Sequence, residues 1–153
     1  YELAGGNGGN GTIQHDGSGA LILTGDVISD AVGTSTFFLQ GSNTANNIFS
    51  GEIQENTGTG ATAFTKSGAG TWILTRANGY LGSSTLNGGI LRLEADGALG
   101  QGTSLSLSGT SSLHLAPTVG TITLQQNITA NGQGIGNIGL IRNLNGNNNI
   151  TGI

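Results

Sequence analysis

The two histidines are the first residues to consider as catalytic groups, because a serine, histidine and aspartate device needs a base held between a nucleophile and an orienting acid. His15 is followed directly by Asp16, so on a strand their side chains point to opposite faces. His114 has no acidic residue within ten positions on either side. We therefore predict that both histidines are exposed polar residues and that the chain holds no catalytic residue.

Two glycine-rich segments have the pattern GxGxxG of nucleotide-binding loops, at residues 6–11 and 134–139. In a chain with 30 glycines such matches arise by chance, and neither one opens a helix whose N-terminus could hold a pyrophosphate. The first segment also resembles calcium-binding nonapeptides, but Asn stands where those repeats need Asp. We predict no bound cofactor and no metal site.

Carboxylate pairs are the remaining chemical possibility, because glycoside hydrolysis needs two acidic groups that face each other. Three pairs lie close in the sequence: Asp26 and Asp30, Glu52 and Glu55, and Glu94 and Asp96. Glu94 and Asp96 would share one face of an extended strand. They stand in a turn-rich stretch before Gly97, where solvated pairs are common. A β-helical polysaccharide-active enzyme therefore stays an alternative to a non-catalytic protein.

Short apolar runs, separated by Gly, Ser, Thr and Asn, make up most of the chain, and the segment from Phe64 to Gly100 shows the design most clearly. Each run is only a few residues long. A strand of that length buries too little surface to offset its own ordering entropy, so it must stack on a neighbouring copy. Stacked copies of a short repeat form a solenoid.

Within Phe64 to Gly100 the residues also carry a family resemblance. It lies in three stretches: Lys66 to Thr75 (KSGAGTWILT), Ala77 to Gly82 (ANGYLG) and Asn87 to Leu91 (NGGIL). These resemble the passenger-associated transport repeat of bacterial autotransporters, and Leu91 to Gly100 extends the match. The resemblance implies a right-handed parallel β-helix that is exported across the outer membrane of a Gram-negative bacterium and displayed or released outside the cell.

Composition is consistent with one ordered all-β domain over residues 1–153. Only 8% of the residues are charged, one is Pro and none is Cys, which excludes a disulfide scaffold. The net charge is −4 and no run of like charges occurs, so we predict no nucleic acid partner. No apolar run has the length of roughly 18 residues that a membrane helix needs, so we predict no membrane insertion of this segment.

Alternation with period two separates the inward from the outward positions of the central repeat. Repeats of this kind predict rungs of about 20 to 25 residues and about six rungs, stacked into a rod about 30 Å long. We also predict that Phe37, Phe38, Phe49, Phe64 and Trp72 are core residues. The predicted inward residues are Trp72, Leu74, Leu86, Leu91 and Leu93, and the predicted outward ones are Ile73, Thr85 and Arg92.

The two termini lack the charges and prolines that normally cover the end of a solenoid, since residues 1–11 carry one charge and residues 146–153 carry none. We therefore predict open, uncapped ends that contact flanking rungs or identical subunits. The first hypothesis is a non-catalytic stalk or adhesin segment on the cell surface or outside the cell. The alternative is a subunit of an extracellular filament built by head-to-tail stacking. No residue pattern identifies a receptor or surface ligand.

Overall fold

The computed structural model describes residues 1–3 and 8–152, which consist almost entirely of short strands and turns. One turn of 3-10 helix lies at Ile135–Asn137. The strands are β1 (Glu2–Leu3), β2 (Asn10–Gln14), β3 (Ile22–Leu23), β4 (Ile28–Ser29), β5 (Ser35–Gln40), β6 (Asn47–Phe49), β7 (Thr62–Lys66), β8 (Thr71–Leu74), β9 (Ser84–Leu86), β10 (Gly89–Leu93), β11 (Ser104–Leu107), β12 (Ser111–Leu115), β13 (Thr123–Leu124), β14 (Asn127–Ala130), β15 (Ile141–Asn143) and β16 (Asn149–Ile150).

Two parallel sheets of six strands each form the body of the molecule. The first sheet has the order β14-β11-β9-β7-β5-β2, and the second has the order β15-β12-β10-β8-β6-β3. Every strand of the first sheet is followed in the chain by a strand of the second, so each such pair is one rung, numbered here 1 to 6 from β2. The predicted β-solenoid of about six turns is confirmed. The right hand of the coil stays a prediction.

A third side of the solenoid has shorter pairings, which join only some of the rungs. There β1 pairs with β4, Val27 bridges Ile53, and β13 pairs with β16. The rungs differ in length, and the first two are longer than the repeat length predicted from the sequence. The spacing between positions that strand register aligns gives the length of each rung. Along the first sheet these positions are Gly11, Phe37, Phe64, Ser84, Leu105 and Ile128.

The interior between the sheets contains the predicted inward residues. Trp72 is 1% exposed, and Leu74, Leu86, Leu91 and Leu93 are fully buried, which confirms their assignment. Leu91 pairs in register with Trp72 of rung 3 and Leu113 of rung 5, so the apolar side chains stack along the axis of the rod. Each such side chain stabilises the fold by roughly 1.5 to 3 kcal/mol.

An aromatic stack extends through the same interior. Phe37 lies with its ring centroid 5.6 Å from that of Phe49 and 6.5 Å from that of Phe64, and Phe64 lies 6.1 Å from Tyr80. The core assignment of Phe37, Phe49 and Phe64 is therefore confirmed, but that of Phe38 is wrong. Phe38 follows Phe37 on β5, so it points to the opposite face and is half-buried.

Outward-facing residues are more covered than alternation alone suggests. Thr85 and Arg92 are half-buried, whereas Ile73 is only 1% exposed. Ile73 pairs in register with Ile48 of rung 2 and Arg92 of rung 4, and these neighbours flank it on the outer face. Ile73 therefore lies on the outer face of its strand, as predicted, but it is buried there, because the outer face of a stacked sheet is itself partly packed.

The glycine-rich segment at residues 134–139 forms a loop between β14 and β15. Gly134, Gly136 and Gly139 all have positive φ, and the segment contains the isolated 3-10 turn rather than the start of a longer helix. A nucleotide-binding helix terminus is therefore not formed there. The other match, at residues 6–11, begins within 4–7 and so lies partly outside the described residues.

Gly89 shows why glycine is needed at the corner between the two sheets. Its φ is +67°, and a Cβ atom there would lie 2.3 Å from the carbonyl oxygen of Gly70 and 2.4 Å from that of Gly68. We expect Gly89→Ala to lower the free energy of unfolding by about 2 to 4 kcal/mol, because it adds backbone strain to a steric overlap with main chain. Urea unfolding followed by circular dichroism measures this loss.

The matched control is Gly19→Ala, because a Cβ atom at Gly19 meets nothing within 4 Å. We expect this variant to stay within about 0.5 kcal/mol of the wild type. Equal stability of the two alanine variants would contradict the close approach of the corner backbones.

Candidate functional site

Lys66 lies inside the rod, at the corner between the two sheets. It belongs to β7, pairs in register with Leu39 and Leu86, and has no exposed surface. Its Nζ donates hydrogen bonds to three carbonyl oxygens, of Ser67 at 2.8 Å, Gly68 at 2.9 Å and Gly88 at 2.9 Å. The ammonium group thus joins the corner of rung 3 to the corner of rung 4.

The positive charge of Lys66 is stabilised by these carbonyl groups rather than by an acidic side chain. None of the ion pairs among the described residues involves it. Burial lowers the pKa of the Lys66 ammonium to about 8. Period-two alternation from Phe64 places residue 66 on the inward face, and this is the signal from which its position could have been predicted.

Four buried asparagines link neighbouring rungs in the same manner, and sequence reasoning missed them. Asn47 accepts a hydrogen bond from the Leu21 N–H at 3.0 Å and donates to the Thr71 carbonyl at 2.8 Å, so it joins rungs 1, 2 and 3. Asn78 accepts from the Ile53 N–H and donates to the Ala98 carbonyl. Their amides satisfy backbone groups that the turns leave without ladder partners. The four asparagines are Asn43, Asn47, Asn56 and Asn78.

His15 and Asp16 do not form a catalytic pair. The His15 Nε2 atom lies 2.6 Å from the Gly19 carbonyl oxygen, within its own loop. Asp16 Oδ1 accepts hydrogen bonds from the backbone N–H and the hydroxyl of Ser42, both at 2.8 Å, and Oδ2 accepts one from Gln14. The hydrogen bonds from the Gln14 side chain and from Ser42 lower the pKa of Asp16. Both residues therefore stabilise the turn of rung 1.

The acidic residues on rungs 1 and 2 bind groups of neighbouring rungs. Asp26 Oδ1 accepts a hydrogen bond from the Glu52 N–H at 2.8 Å, and Arg76 Nη2 lies 3.2 Å from Glu52 Oε2. Glu55 Oε1 accepts from the Thr62 N–H at 2.8 Å. Asp26 and Glu52, which belong to successive rungs, thus share Arg76, which lies 4.0 Å from Asp26 and 3.2 Å from Glu52.

Glu94 and Asp96 also bind different partners. Glu94 Oε1 forms an ion pair of 2.5 Å with Arg92, whereas Asp96 Oδ1 accepts a hydrogen bond from the Thr123 N–H at 2.8 Å. Each carboxylate thus contacts a group of its own, the guanidinium of β10 in one case and the backbone of β13 in the other.

Six residues form a single column on the outer face of the second sheet, which we call the outer column. Strand register places them at one position of successive rungs: Ile22, Ile48, Ile73, Arg92, His114 and Arg142. The prediction that His114 is exposed is wrong, because this residue is only 8% exposed between its two arginine neighbours. Burial lowers the pKa of His114, and the charges of Arg142 and Arg92 lower it further.

A cleft opens on the third side between rungs 4 and 5, where the backbone ladder is interrupted. It has a volume of about 390 Å³ and is lined by Asp96 to Gly102 on one rung and Ile122 to Gln126 on the next. Two hydrogen bonds span the cleft, and each joins a side chain to the backbone of the other rung. The Thr123 N–H donates to Asp96, and Gln126 Nε2 donates to the Gly100 carbonyl at 3.3 Å. The buried Oε1 of Gln126 has no hydrogen-bond partner among the described residues.

Metal-binding and membrane-spanning features were sought over residues 1–3 and 8–152. No group of three or more His, Cys, Asp or Glu side chains lies close enough there to hold a metal ion. No helix within that part of the chain has both the length and the apolar character needed to cross a bilayer.

Comparisons with known proteins agree with the solenoid and its central repeat. The passenger-associated transport repeat family matches residues 64–93, which span β8, β9, β10 and most of β7. Over 95 residues, or 60% of its length, the chain is 38% identical to the adhesin BmaC autotransporter of Brucella suis biovar 1 (strain 1330). No solved structure matches the chain significantly.

The chain spans about 3% of the length of that relative. The matched repeat contains Lys66 and the corner glycines, so the buried lysine described above lies within the part of the chain that the family match covers. The central repeat of the chain is thus similar to the passenger-associated transport repeat, and 60% of its length is similar to part of an autotransporter adhesin.

Proposed function

We propose that the chain is a non-catalytic structural module, a rigid stalk or adhesin segment on the surface of a Gram-negative bacterium or released from it. The observation that carries the proposal is the unbroken stacking of six rungs through two parallel sheets, with the family repeat in rungs 3 and 4. A cell-surface role is supported by the relative, which is named as an adhesin autotransporter. Residues 1–153 act as one solenoid unit, whose partners are flanking rungs of the same passenger.

Stacking of this kind makes stability depend on whole rungs, because each rung contacts mainly its neighbours. Ser84 pairs with Leu105, so rung 4 begins at Ser84 and ends just before Leu105. We expect deletion of residues 84–104 to join rung 3 to rung 5 in register and leave a shorter, cooperatively folded rod. Deletion of residues 84–93 removes both strands of the rung while leaving its third side, so it breaks both ladders.

Surface labelling in the source bacterium tests the function itself. Antibodies raised against the chain should label intact cells that carry the wild-type passenger or the 84–104 deletion, and should label cells with the 84–93 deletion weakly. Absence of labelling on intact wild-type cells, with labelling after lysis, would reject the surface role. Equal labelling of the two deletions would reject the rung as the structural unit.

The non-catalytic part of the proposal is supported by the placement of five of the six candidate carboxylates, because Asp26, Glu52, Glu55, Glu94 and Asp96 each bind a structural partner. Incubation with a panel of polysaccharides should release no sugar. Sugar release that is abolished by Glu94→Gln or Asp96→Asn would replace this proposal with a polysaccharide-active enzyme.

A further inference from the structure

One end of the outer column brings three nitrogen-rich side chains together. Arg92 on β10, His114 on β12 and Arg142 on β15 pair in register, so they leave the same face of the second sheet at the rung spacing of about 4.8 Å. Each of the three belongs to a different rung, so they are far apart in the chain. No run of basic residues therefore marks this cluster in the sequence.

This column holds half of the lysines and arginines of an otherwise acidic chain. Of the four, Lys66 is buried in the core and Arg76 pairs with Glu52. Arg92 has an acidic partner in Glu94, at 2.5 Å. No hydrogen bond or ion pair of the Arg142 guanidinium or the His114 ring occurs among the described residues. The half-buried Arg142 and the buried His114 ring beside it therefore have donors without a protein partner, and those of Arg142 can reach solvent.

We propose that Arg92, His114 and Arg142 form a binding site for the carboxylate or sulfate groups of an acidic polysaccharide. Guanidinium groups bind such oxyanions through paired, charge-assisted hydrogen bonds. This inference deepens the adhesin role proposed above and rests on it only for the extracellular setting. The site is separate from the repeat corner that contains Lys66, because the lysine faces the interior.

The form of the column favours a linear glycan over other anions. Three donors in a straight line along the rod fit a polymer that carries acidic groups at regular intervals. The same column continues through the buried Ile73 and the half-buried Ile48 to Ile22, which is 61% exposed, so Ile48 and Ile22 can cover the apolar faces of sugar rings. Nucleic acid is disfavoured, because the column contains no Phe, Tyr or Trp residue for base stacking.

His114 makes the site sensitive to pH. Because burial and the two arginines lower its pKa, the imidazole is neutral at pH 7 in the free protein. A bound anion stabilises the imidazolium, so binding is coupled to proton uptake and tightens as the pH falls. The charged groups nearby are Arg92 and Glu94 on the β10 side and Arg142 on β15, while β9 (Ser84–Leu86) contributes no titratable residue. Glu94 competes with the ligand for Arg92.

Titration calorimetry on the full chain with two probes tests the site: an oligogalacturonide, which carries carboxylates, and a sulfated dextran oligosaccharide, with neutral dextran as control. We expect at least one acidic probe to bind and the neutral one not to bind. Arg142→Gln should weaken binding about tenfold. The matched control Arg76→Gln removes the same charge at a residue that pairs with Asp26 and Glu52 outside the outer column, and it should leave binding unchanged.

Two further measurements complete the test. Binding of the wild type should be tighter at pH 5.5 than at pH 7.5, and His114→Asn, with its fold verified by circular dichroism, should lose most of that difference. Binding that Arg142→Gln does not change, equal binding of neutral dextran, or equally tight binding of a single-stranded DNA oligonucleotide would overturn the proposal. Absence of glycan binding by a protein that still labels intact cells rejects this site and leaves the stalk function standing.

Discussion

Leu91→Asp unfolds the central rungs. The Leu91 side chain is fully buried between Trp72 and Leu113 of the adjacent rungs. The substitution removes roughly 1.5 to 3 kcal/mol of hydrophobic burial and places a carboxylate in the apolar interior, at a further cost of several kcal/mol. The expected loss exceeds about 4 kcal/mol, which is a large share of the stability of an ordinary domain.

A thermal melt followed by circular dichroism measures this effect. The matched control is Ile22→Asp, because Ile22 is 61% exposed on the outer face of β3 and its aspartate variant stays in water. We expect the control to melt within a few degrees of the wild type. A Leu91→Asp melt that coincides with the wild-type melt would show that the inward assignment is wrong.

Lys66→Ala lowers the free energy of unfolding by about 3 to 5 kcal/mol. It leaves a cavity in place of the aliphatic stem and removes the donor from three carbonyl oxygens, of Ser67, Gly68 and Gly88. Lys66→Met retains the packing and relieves the burial of a charge, so its effect at pH 7 is much smaller than that of alanine. Urea unfolding of both variants separates the packing from the hydrogen bonds.

The pH dependence of stability provides the second readout for Lys66. Its pKa is about 8 in the folded chain and 10.5 without the effect of the fold, so between these values the unfolded chain binds more protons. Wild-type stability therefore rises from pH 8 towards pH 10, relative to Lys66→Met, by about 1 kcal/mol per pH unit. Above pH 10 the buried Tyr80, whose pKa is raised by burial, lowers the stability of the wild type and of Lys66→Met alike, so it cancels in the comparison. A stability difference that is independent of pH would contradict the buried ammonium.

Alternation predicted much of the interior because a parallel solenoid keeps the same face of each strand inward along its whole length. Leu91, Leu93 and Trp72 follow that rule without exception. The errors concern the other face. Phe38 was assigned to the core for its aromatic character, and His114 was assigned to the surface for its polarity. In both cases the strand phase and the neighbouring rungs decided the burial, rather than the residue type.

Contacts between rungs could not be predicted, because they depend on the register between repeats of unequal length. Since the rungs differ in length, no fixed period aligns Arg92 with His114 or Asp26 with Glu52. The inward position of Lys66 could have been predicted, because it lies two residues after Phe64 and therefore on the same face of the strand. The repeat pattern predicted the match at residues 64–93, but the outer column lies mainly outside that repeat and follows only from the strand register.

The interrupted ladder between rungs 4 and 5 also affects the mechanics of the rod. Two sides of this junction are joined by continuous backbone pairing, in β10 with β12 and β9 with β11, while the third is joined by the side chains of Asp96 and Gln126. The rod is therefore less stiff on its third side at this junction than on the other two sides. The rod therefore flexes most readily about this junction, so rungs 5 and 6 can tilt relative to rungs 1 to 4 without the loss of a strand.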